Sequence, residues 1–270
     1  NADKLYNDTY TTHRMKKLYK IRRLIMQIQL SDHFTYGKLF RFTLPSVIMM
    51  IFTSIYGVVD GLFVSNIVGS NALSSINIVW PLMVVIGAFG FMLGTGGSAE
   101  VAKTLGQGKK EMANRYFTMI ILTILAIGVV MSVVCISFIR PISYMLGASD
   151  ILIEDCVTYG TIILIGTPAF MLQTTFQTFF ITAQKQKIGL LLTVLSGCTN
   201  IVLDFLFVYV MKLGIAGAAI ATVLGYVVGG VIPFFYFLLP NSSLLRFVKT
   251  KLYPKVLLHS AANGSSEMLS

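Results

Sequence analysis

Charged residues are scarce in this chain of 270 residues. Asp, Glu, Lys and Arg together make up only 12% of it, whereas an ordinary soluble domain carries roughly 25%. Hydrophobic residues make up 55%, and they are gathered into stretches too long and too numerous for a soluble core. The composition therefore excludes an ordinary soluble protein.

Groups that bind metals or act in catalysis are equally sparse. The three cysteines are dispersed, without C-x-x-C spacing: Cys135, Cys156 and Cys198. We interpret them as small apolar residues, with no disulfide framework and no metal site. His13, His33 and His259 lie outside the apolar stretches, and no Ser–His set or H-E-x-x-H motif is present. We therefore predict that the protein is not an enzyme and needs no cofactor beyond a coupling ion.

Six long apolar stretches dominate what remains. They run approximately over Phe42–Val68, Leu73–Val101, Tyr116–Ile139, Ile151–Ala183, Ile188–Met211 and Gly214–Leu239. About 20 helical residues cross the ~30 Å hydrocarbon layer, so each stretch is long enough. Strand alternation is absent, and helices satisfy their own backbone groups in lipid. The sequence therefore predicts an all-α, multi-pass membrane protein with a six-helix bundle.

The short segments between these stretches differ in charge. On one side, from Met26 onward, they carry Lys38, Arg41, Lys103, Lys109, Lys110, Arg115, Lys185, Lys187, Arg246, Lys249, Lys251 and Lys255. On the other side they carry only Arg140 and Lys212. The positive-inside rule then places both ends in the cytoplasm of a plasma (inner) membrane. A nucleic-acid surface is disfavoured, because the charges are spread over short loops without interleaved aromatic residues.

The two ends are set apart by composition. Residues 1–25 are polar and basic and have no apolar core, so they are no secretory signal. We expect upstream, non-native sequence or a cytoplasmic tail there, with Met26 as the natural start. Residues 26–240 are predicted to form the membrane lobe. Residues 241–270 are predicted to be a cytoplasmic linker and the truncated start of a seventh helix.

Two acids lie well inside the apolar stretches. Asp60 and Asp204 fall about 27 and 24 Å from the inner ends of their stretches, at ~1.5 Å per residue. The two carboxyl groups thus share a level in the outer half of the bilayer. An ionisable group at that depth is a functional hypothesis by default. Reversible proton loading, or binding of a small cation such as Na⁺, fits the pair. The alternative is that each carboxyl only caps neighbouring backbone.

Polar residues accompany both acids. Tyr56 precedes Asp60 by four residues, and Asn200 precedes Asp204 by four, so each pair shares a helix face and could form a hydrogen bond. Thr222 is predicted about 12 Å from the outer face, near the same level. The bland alternative is that such residues only join helices by hydrogen bonds.

A second polar pair occupies the fourth stretch. Gln173 and Gln177 share a helix face. If that helix ends at Ala183, Gln177 lies only about 9 Å from the inner end, well below the acids. Pro168 in the same stretch marks a place where the helix can bend.

Four segments carry a resemblance to a known family. They are PSVIMMIFTSIYGVVDGLFVSNIVGSNALSSINIVWP, GTGGSAEVAKTLGQGKKEMANRYF, TNIVLDFLFVY and LGIAGAAIATVLGY. Together they resemble the first half of the multidrug and toxic compound extrusion (MATE) family. The likeness covers about Met26 to Leu239. It continues weakly through NGSSEML, which is similar to the start of that family's seventh helix.

The resemblance implies a transporter of twelve helices in two six-helix lobes, of which this chain would be the N-lobe and a C-terminal lobe would be its missing partner. It implies export of cationic and amphipathic drugs in exchange for H⁺ or Na⁺. Asp60 and Asp204 match the N-lobe acids of the proton-coupled branch. The polar positions around those acids are matched by Tyr56, Gln177, Asn200 and Thr222. Gln177 departs from the pattern, because Asn is expected there.

A flippase for lipid-linked oligosaccharides, from the same superfamily, is the alternative function. Such a protein needs a basic cavity to hold pyrophosphate. The apolar stretches here carry acids and no internal Lys or Arg, which favours the drug exporter.

Overall fold

The computed structural model describes residues 36–268, and all regular structure within that range is helical. The α-helices are α1 (Tyr36–Phe63), α2 (Ser70–Gly106), α3 (Lys110–Ser137), α4 (Ile139–Met145), α5 (Ile153–Ile165), α6 (Thr167–Thr182), α7 (Gln186–Asp204), α8 (Gly214–Leu238) and α9 (Pro254–Met268). Two π-helical segments, π1 (Val64–Val68) and π2 (Phe205–Val210), extend α1 and α7. The predicted all-α class is confirmed.

Five helices in the described residues, two of them with their π-helical extensions, are long and apolar enough to cross a membrane alone. A sixth candidate crossing is the pair α5 and α6, which bends by 55°. The predicted fourth stretch, Ile151–Ala183, is thus two helices, and the bend lies close to Pro168, where the sequence indicated that the helix can bend. The break falls at Gly166, and Pro168 lies in the first turn of α6, where a residue without an N–H disturbs no helical hydrogen bond.

Helices α2 and α8 form the middle of the lobe. Helix α2 packs against α3, α5, α6 and α9, and α8 packs against α5, α6 and α7. Small residues allow the close contacts. A Cβ on Gly94 would lie 3.2 Å from Thr175 Cα, so α6 approaches α2 almost backbone to backbone. The Thr175 hydroxyl, which donates to Met171 O at 2.7 Å in its own helix, also lies 3.3 Å from Gly90 O across the same interface. Small residues serve this purpose where lipid gives helices no hydrophobic reason to associate.

Helix α1 lies at the edge of the lobe. Only 11% of the apolar window in its span is buried. Its C-terminal end is packed more closely, because π1 contacts α2, α8 and π2, and Val64 is fully buried. Gly69, at a φ of 122°, then turns the chain into α2 in a conformation that favours glycine.

A non-helical strap, residues 241–253, runs along α3 after the sixth crossing. Arg246 N donates to Asn114 Oδ1 at 3.1 Å, and Val248 N donates to Thr118 Oγ1 at 3.0 Å. Phe247 packs on the ring of Phe117 at 5.2 Å. The strap leads into α9, which packs on α2. That this region is a cytoplasmic linker and the start of a seventh spanning helix stays a prediction, and residues 1–25 lie outside the described range.

Candidate functional site

The two acids of the apolar stretches come together at the C-terminal ends of α1 and α7. Their carboxyl groups are close enough to form a hydrogen bond when one of them is protonated. Asp204 is completely buried and Asp60 partly so. Asp60 Oδ1 and both carboxyl oxygens of Asp204 have no hydrogen-bond partner within the described part of the chain. The backbone-capping alternative therefore finds no support at these oxygens.

Both acids lie close to a π-helical segment. Asp204 is the last residue of α7 before π2, and Asp60 precedes π1 by four residues. The i→i+5 bonds of a π turn change the direction of the side chains around it, and such turns are frequent at functional sites. Because π1 and π2 contact each other, the C-terminal ends of the two acid-bearing helices lie side by side.

Gly197 allows α1 to come this close to α7. A Cβ at that position would lie 2.6 Å from Cε1 of Phe52 and 3.0 Å from Cδ1 of Tyr56. The glycine face of α7 therefore receives the aromatic face of α1. Asp60 follows Tyr56 by one helical turn, so the same contact brings its carboxyl toward Asp204.

A cavity of about 220 Å³ adjoins the acid pair. Its walls are formed by Tyr56, Gly57, Asp60, Gly61, Leu73, Ile76, Asn77, Trp80, Tyr159, Asn200, Thr222 and Tyr226. Four of the predicted site residues are on this wall, namely Tyr56, Asp60, Asn200 and Thr222. Asp204 is buried beside Asp60 and is not on the wall.

The amide of Asn200 is held by its neighbour on α8. Asn200 Nδ2 donates to Thr222 Oγ1 at 3.4 Å, and the Thr222 hydroxyl donates to Ala218 O at 3.0 Å. Asn200 thus pairs across the helix interface, whereas the sequence suggested a bond along α7 to Asp204. Its Oδ1 is left without a partner among the described residues.

Gln177 lies apart from this group. It is half-buried on α6 and is not on the cavity wall. Gln173, one turn earlier, is buried and donates from Nε2 to Ser196 Oγ at 3.2 Å. Thus Gln173 meets α7, and Gln177 does not join the acids in this conformation.

Four polar or aromatic wall residues were missed from the sequence: Asn77, Trp80, Tyr159 and Tyr226. Tyr226 follows Thr222 by four residues, and that shared helix face was a usable signal. Its ring packs on Phe170 at 4.8 Å. Phe205, the residue after Asp204, is not on the wall; it stacks on Tyr209 at 5.3 Å and is half exposed.

The donor set suits protons or a hard cation. Residues 36–268 contain no group of three or more His, Cys, Asp or Glu side chains that could hold a metal ion. Two carboxylates and the free Oδ1 of Asn200 are oxygen ligands, which small hard cations prefer. The same oxygens accept hydrogen bonds from a protonated amine.

Several known proteins are similar to this chain in sequence. The MatE family model matches residues 45–206. The multidrug export protein MepA of Staphylococcus haemolyticus is 26% identical over 208 residues, which are 77% of this chain and 46% of that protein. MepA of Staphylococcus aureus is 24% identical over 229 residues, 85% of this chain and 48% of its own length. The chain spans about half the length of the curated relatives it matches.

Solved structures share the fold. An outward-facing multidrug resistance MATE family transporter of the MOP superfamily superposes with a TM-score of 0.78 at 24% identity, covering 85% of this chain and 52% of that one. An inward-facing conformation of a multidrug resistance MATE family transporter superposes with a TM-score of 0.75 at 22% identity, covering 83% of this chain and 53% of that one. A MOP superfamily transporter from Pyrococcus furiosus superposes with a TM-score of 0.79 at 24% identity, covering 85% of this chain and 51% of that one. It is described as having a binding pocket of reverse polarity.

Proposed function

This chain belongs to the MatE family, and on that footing we propose that the protein exports cationic and amphipathic drugs in exchange for an inward-moving cation. Its membership confirms a multi-pass membrane transporter rather than an enzyme. The observation that carries the proposal is the close pair of acids, buried Asp204 and partly buried Asp60, beside an aromatic-walled cavity. Asp60 Oδ1 and both Asp204 oxygens have no hydrogen-bond donor among the described residues. Buried acids without partners are costly unless a ligand or proton uses them.

Competition for one charge is the proposed coupling mechanism. In the outward-facing state a cationic drug binds against the carboxylates of Asp60 and Asp204. Protonation neutralises them and weakens their hold on the drug, which leaves outward. The neutral, drug-free cavity then reorients, and the protons leave inward. A ligand shifts such an equilibrium only through its different affinity for the two states, and here the carboxylate charge supplies the difference.

The cavity wall disfavours the flippase alternative. Asp60 is the charged residue on it, and the wall residues include no Lys or Arg. A pyrophosphate-linked lipid needs cationic or multiple N–H donors. We therefore retain drug cations as the substrate class, with H⁺ as the coupling ion and Na⁺ at the same acids as the rival.

Both ends of the chain are proposed to face the cytoplasm of the inner membrane. Support comes from the 12 Lys and Arg residues on one set of loops against 2 on the other. In a cysteine-free background, an impermeant thiol reagent should label Lys212→Cys in whole cells and leave Lys109→Cys unlabelled. The reverse pattern would invert the proposed topology.

Drug-triggered proton release tests the function. Inverted vesicles containing the complete gene product are acidified, and ethidium or a neutral dye is added. We expect ethidium to dissipate the gradient in the wild type and in Asp150→Asn, a matched change on the exposed outer loop, but not in Asp204→Asn. A wild-type response in Asp204→Asn would contradict the assigned role. No response in any protein would favour Na⁺ coupling or lipid flipping.

A further inference from the structure

A buried polar file continues from the acid pair along α7 and α6. It consists of Asp204, Asn200, Ser196 and Gln173, which are 0%, 2%, 2% and 5% exposed. The three α7 residues follow each other at intervals of four and so share one helix face. Ser196 lies about 12 Å from Asp204 along the helix axis. In the proposed topology this file leads toward the cytoplasmic half of the bilayer.

The hydrogen bonds at Ser196 fix the orientation of Gln173. The Ser196 hydroxyl donates its one proton to Gly225 O at 2.7 Å. It can therefore only accept from Gln173, whose Nε2 lies at 3.2 Å. The carboxamide oxygen, Gln173 Oε1, is then fixed as an acceptor, and it has no partner among the described residues.

The hydrogen bonds at Thr222 fix the orientation of Asn200 in the same way, one helical turn nearer the acids. The Thr222 hydroxyl donates to Ala218 O, so it accepts from Asn200 Nδ2. Asn200 Oδ1 is thereby also fixed as an unpartnered acceptor, and neither oxygen of Asp204 has a partner among the described residues. The file thus presents a succession of buried oxygens without protein partners, beside amide nitrogens that each use one of their two N–H groups in these hydrogen bonds.

Buried acceptors in native proteins are nearly always satisfied, and ordered water is the usual donor where protein groups do not reach. Water suits these oxygens because each molecule can donate two hydrogen bonds and accept others. A chain of such molecules can also pass a proton from one to the next.

Two glycines make room for the file. A Cβ at Gly225 would lie 3.3 Å from Cβ of Asn200, and one at Gly229 would lie 2.7 Å from Cδ of Gln173. These glycines are one turn apart on α8, on the face that meets the file. Side chains there would displace the amides from the positions that their hydrogen bonds define.

The inner end of the file is closed in this conformation. Phe176 and Phe180 continue along α6 beyond Gln173 and are almost fully buried. Their rings pack on Phe237 at 5.7 and 5.2 Å. A proton held at the acids therefore has no open route inward until these rings move.

We propose that the polar file holds water molecules that carry the proton inward from the Asp60–Asp204 pair, and that Gln173 and Ser196 are its positioning residues. This rests on the proposed proton-coupled export. A carboxyl O–H bond breaks, the carboxylate keeps the electron pair, and water accepts the proton and passes it on. Gln173 and Ser196 hold the water and exchange no proton themselves.

Gln173→Leu separates this role from drug binding. The complete gene product is reconstituted in proteoliposomes, with Thr178→Val as the control on the same helix but outside the file; the Thr178 hydroxyl donates only to Thr175 O within α6. Drug-triggered proton release at equilibrium should stay at the wild-type level in both variants. The rate of drug–proton exchange should fall about tenfold or more in Gln173→Leu and remain unchanged in Thr178→Val. Ser196→Ala, a smaller change that tests the file if Gln173→Leu fails to fold, should also slow exchange.

The outcomes distinguish the two proposals. Wild-type protein that releases no proton on binding ethidium would overturn the proposed function, and the file's proton role with it. Normal release combined with unimpaired exchange in Gln173→Leu and Ser196→Ala would overturn the file alone, as would equal slowing in Thr178→Val. A structure that resolves waters should show them bonded to Gln173 Oε1 and Asn200 Oδ1, and a dry file there would overturn the proposal.

Discussion

Single residues determine what the cavity can bind. Asp60 supplies the one charge on the wall, while Tyr56, Trp80, Tyr159 and Tyr226 supply aromatic surface. Trp80 is the largest of these and is 52% exposed. Indole faces attract cations more strongly than the other aromatic rings do. Trp80 is therefore positioned to contact a drug whose charge is held by the acids.

We predict that Trp80→Leu weakens binding of cationic drugs. Loss of a cation–π contact of about 0.5–2 kcal/mol corresponds to roughly 2- to 30-fold in Kd. Fluorescence anisotropy with ethidium would measure it. Phe205→Leu is the control, because Phe205 is equally exposed but stacks on Tyr209 away from the cavity. Equal weakening by both changes would show that the effect is not specific to the cavity wall.

Counting residues along the predicted helices located part of the site, but it did not predict the other wall residues. Depth along α1 and α8 predicted Asp60 and Thr222 near one level, and helix periodicity put Asn200 on the same face of α7 as Asp204. The structure places Asp60, Asn200 and Thr222 on the cavity wall. Trp80 and Tyr159 could not be found in this way, because depth says nothing about how each helix is rotated. Rotation depends on which faces pack together, and that information is not local in the sequence.

Among the helices, the contact between α1 and α7 is the one on which the acid pair depends. Helix α1 makes few close contacts along its length, so the aromatic side chains received by Gly197 matter more than they would in a buried helix. A larger side chain at Gly197 would therefore displace α1, because α1 has few other contacts to hold it in place.

We predict that Gly197→Val separates the two acids. The added side chain would overlap the rings of Phe52 and Tyr56, and overpacking of this kind costs typically about 1–3 kcal/mol. Thermal stability should fall, and drug-triggered proton release should be lost as Asp60 moves from Asp204. Cys198→Val is the matched control, since Cys198 is the next residue and is exposed. Full coupling in Gly197→Val would disprove the importance of this contact.

The strap is the element that hydropathy could not predict. Its residues form no helix, and periodicity therefore gives no signal for them. Two of their backbone N–H groups, those of Arg246 and Val248, are satisfied by two buried side chains one turn apart on α3, Asn114 and Thr118. The fourth span likewise shows in the sequence as one apolar stretch that can bend at Pro168, because a 55° break at Gly166 leaves that stretch intact.

We predict that Asn114→Ala releases the strap. Arg246 N loses its acceptor, at a cost of about 1–3 kcal/mol where the group stays buried. Hydrogen–deuterium exchange over residues 244–250 should then quicken about tenfold, which corresponds to 1.4 kcal/mol. Thr123→Ala on the same helix is the control, since no strap hydrogen bond to its side chain is formed within the described residues. Unchanged exchange in Asn114→Ala would show that the remaining contacts, among them the Val248–Thr118 bond and the packing of Phe247, are enough to retain the strap.

At the scale of the whole molecule, the lobe has a well-packed side and an open side. Aromatic side chains from α3, α6, α8 and the strap pack tightly around Phe117 and Phe237. Large apolar side chains of α1 such as Met50, Ile55 and Val58 remain 55–68% exposed. Lipid or a second lobe can cover such a face equally well, so exposure alone does not choose between them. The relatives, at about twice the matched length, favour a second lobe.

We predict that the 270-residue chain alone inserts in the membrane but does not export drugs. Alternating access requires one half to move against another around the binding site, and here α1, which carries Asp60, is only 11% buried in its apolar window. Ethidium efflux would be compared in cells that express the chain or the complete gene product at matched membrane levels. The chain should give efflux no faster than empty vector. Faster, gradient-dependent efflux would mean that the lobe, or a pair of identical lobes, closes its own cavity.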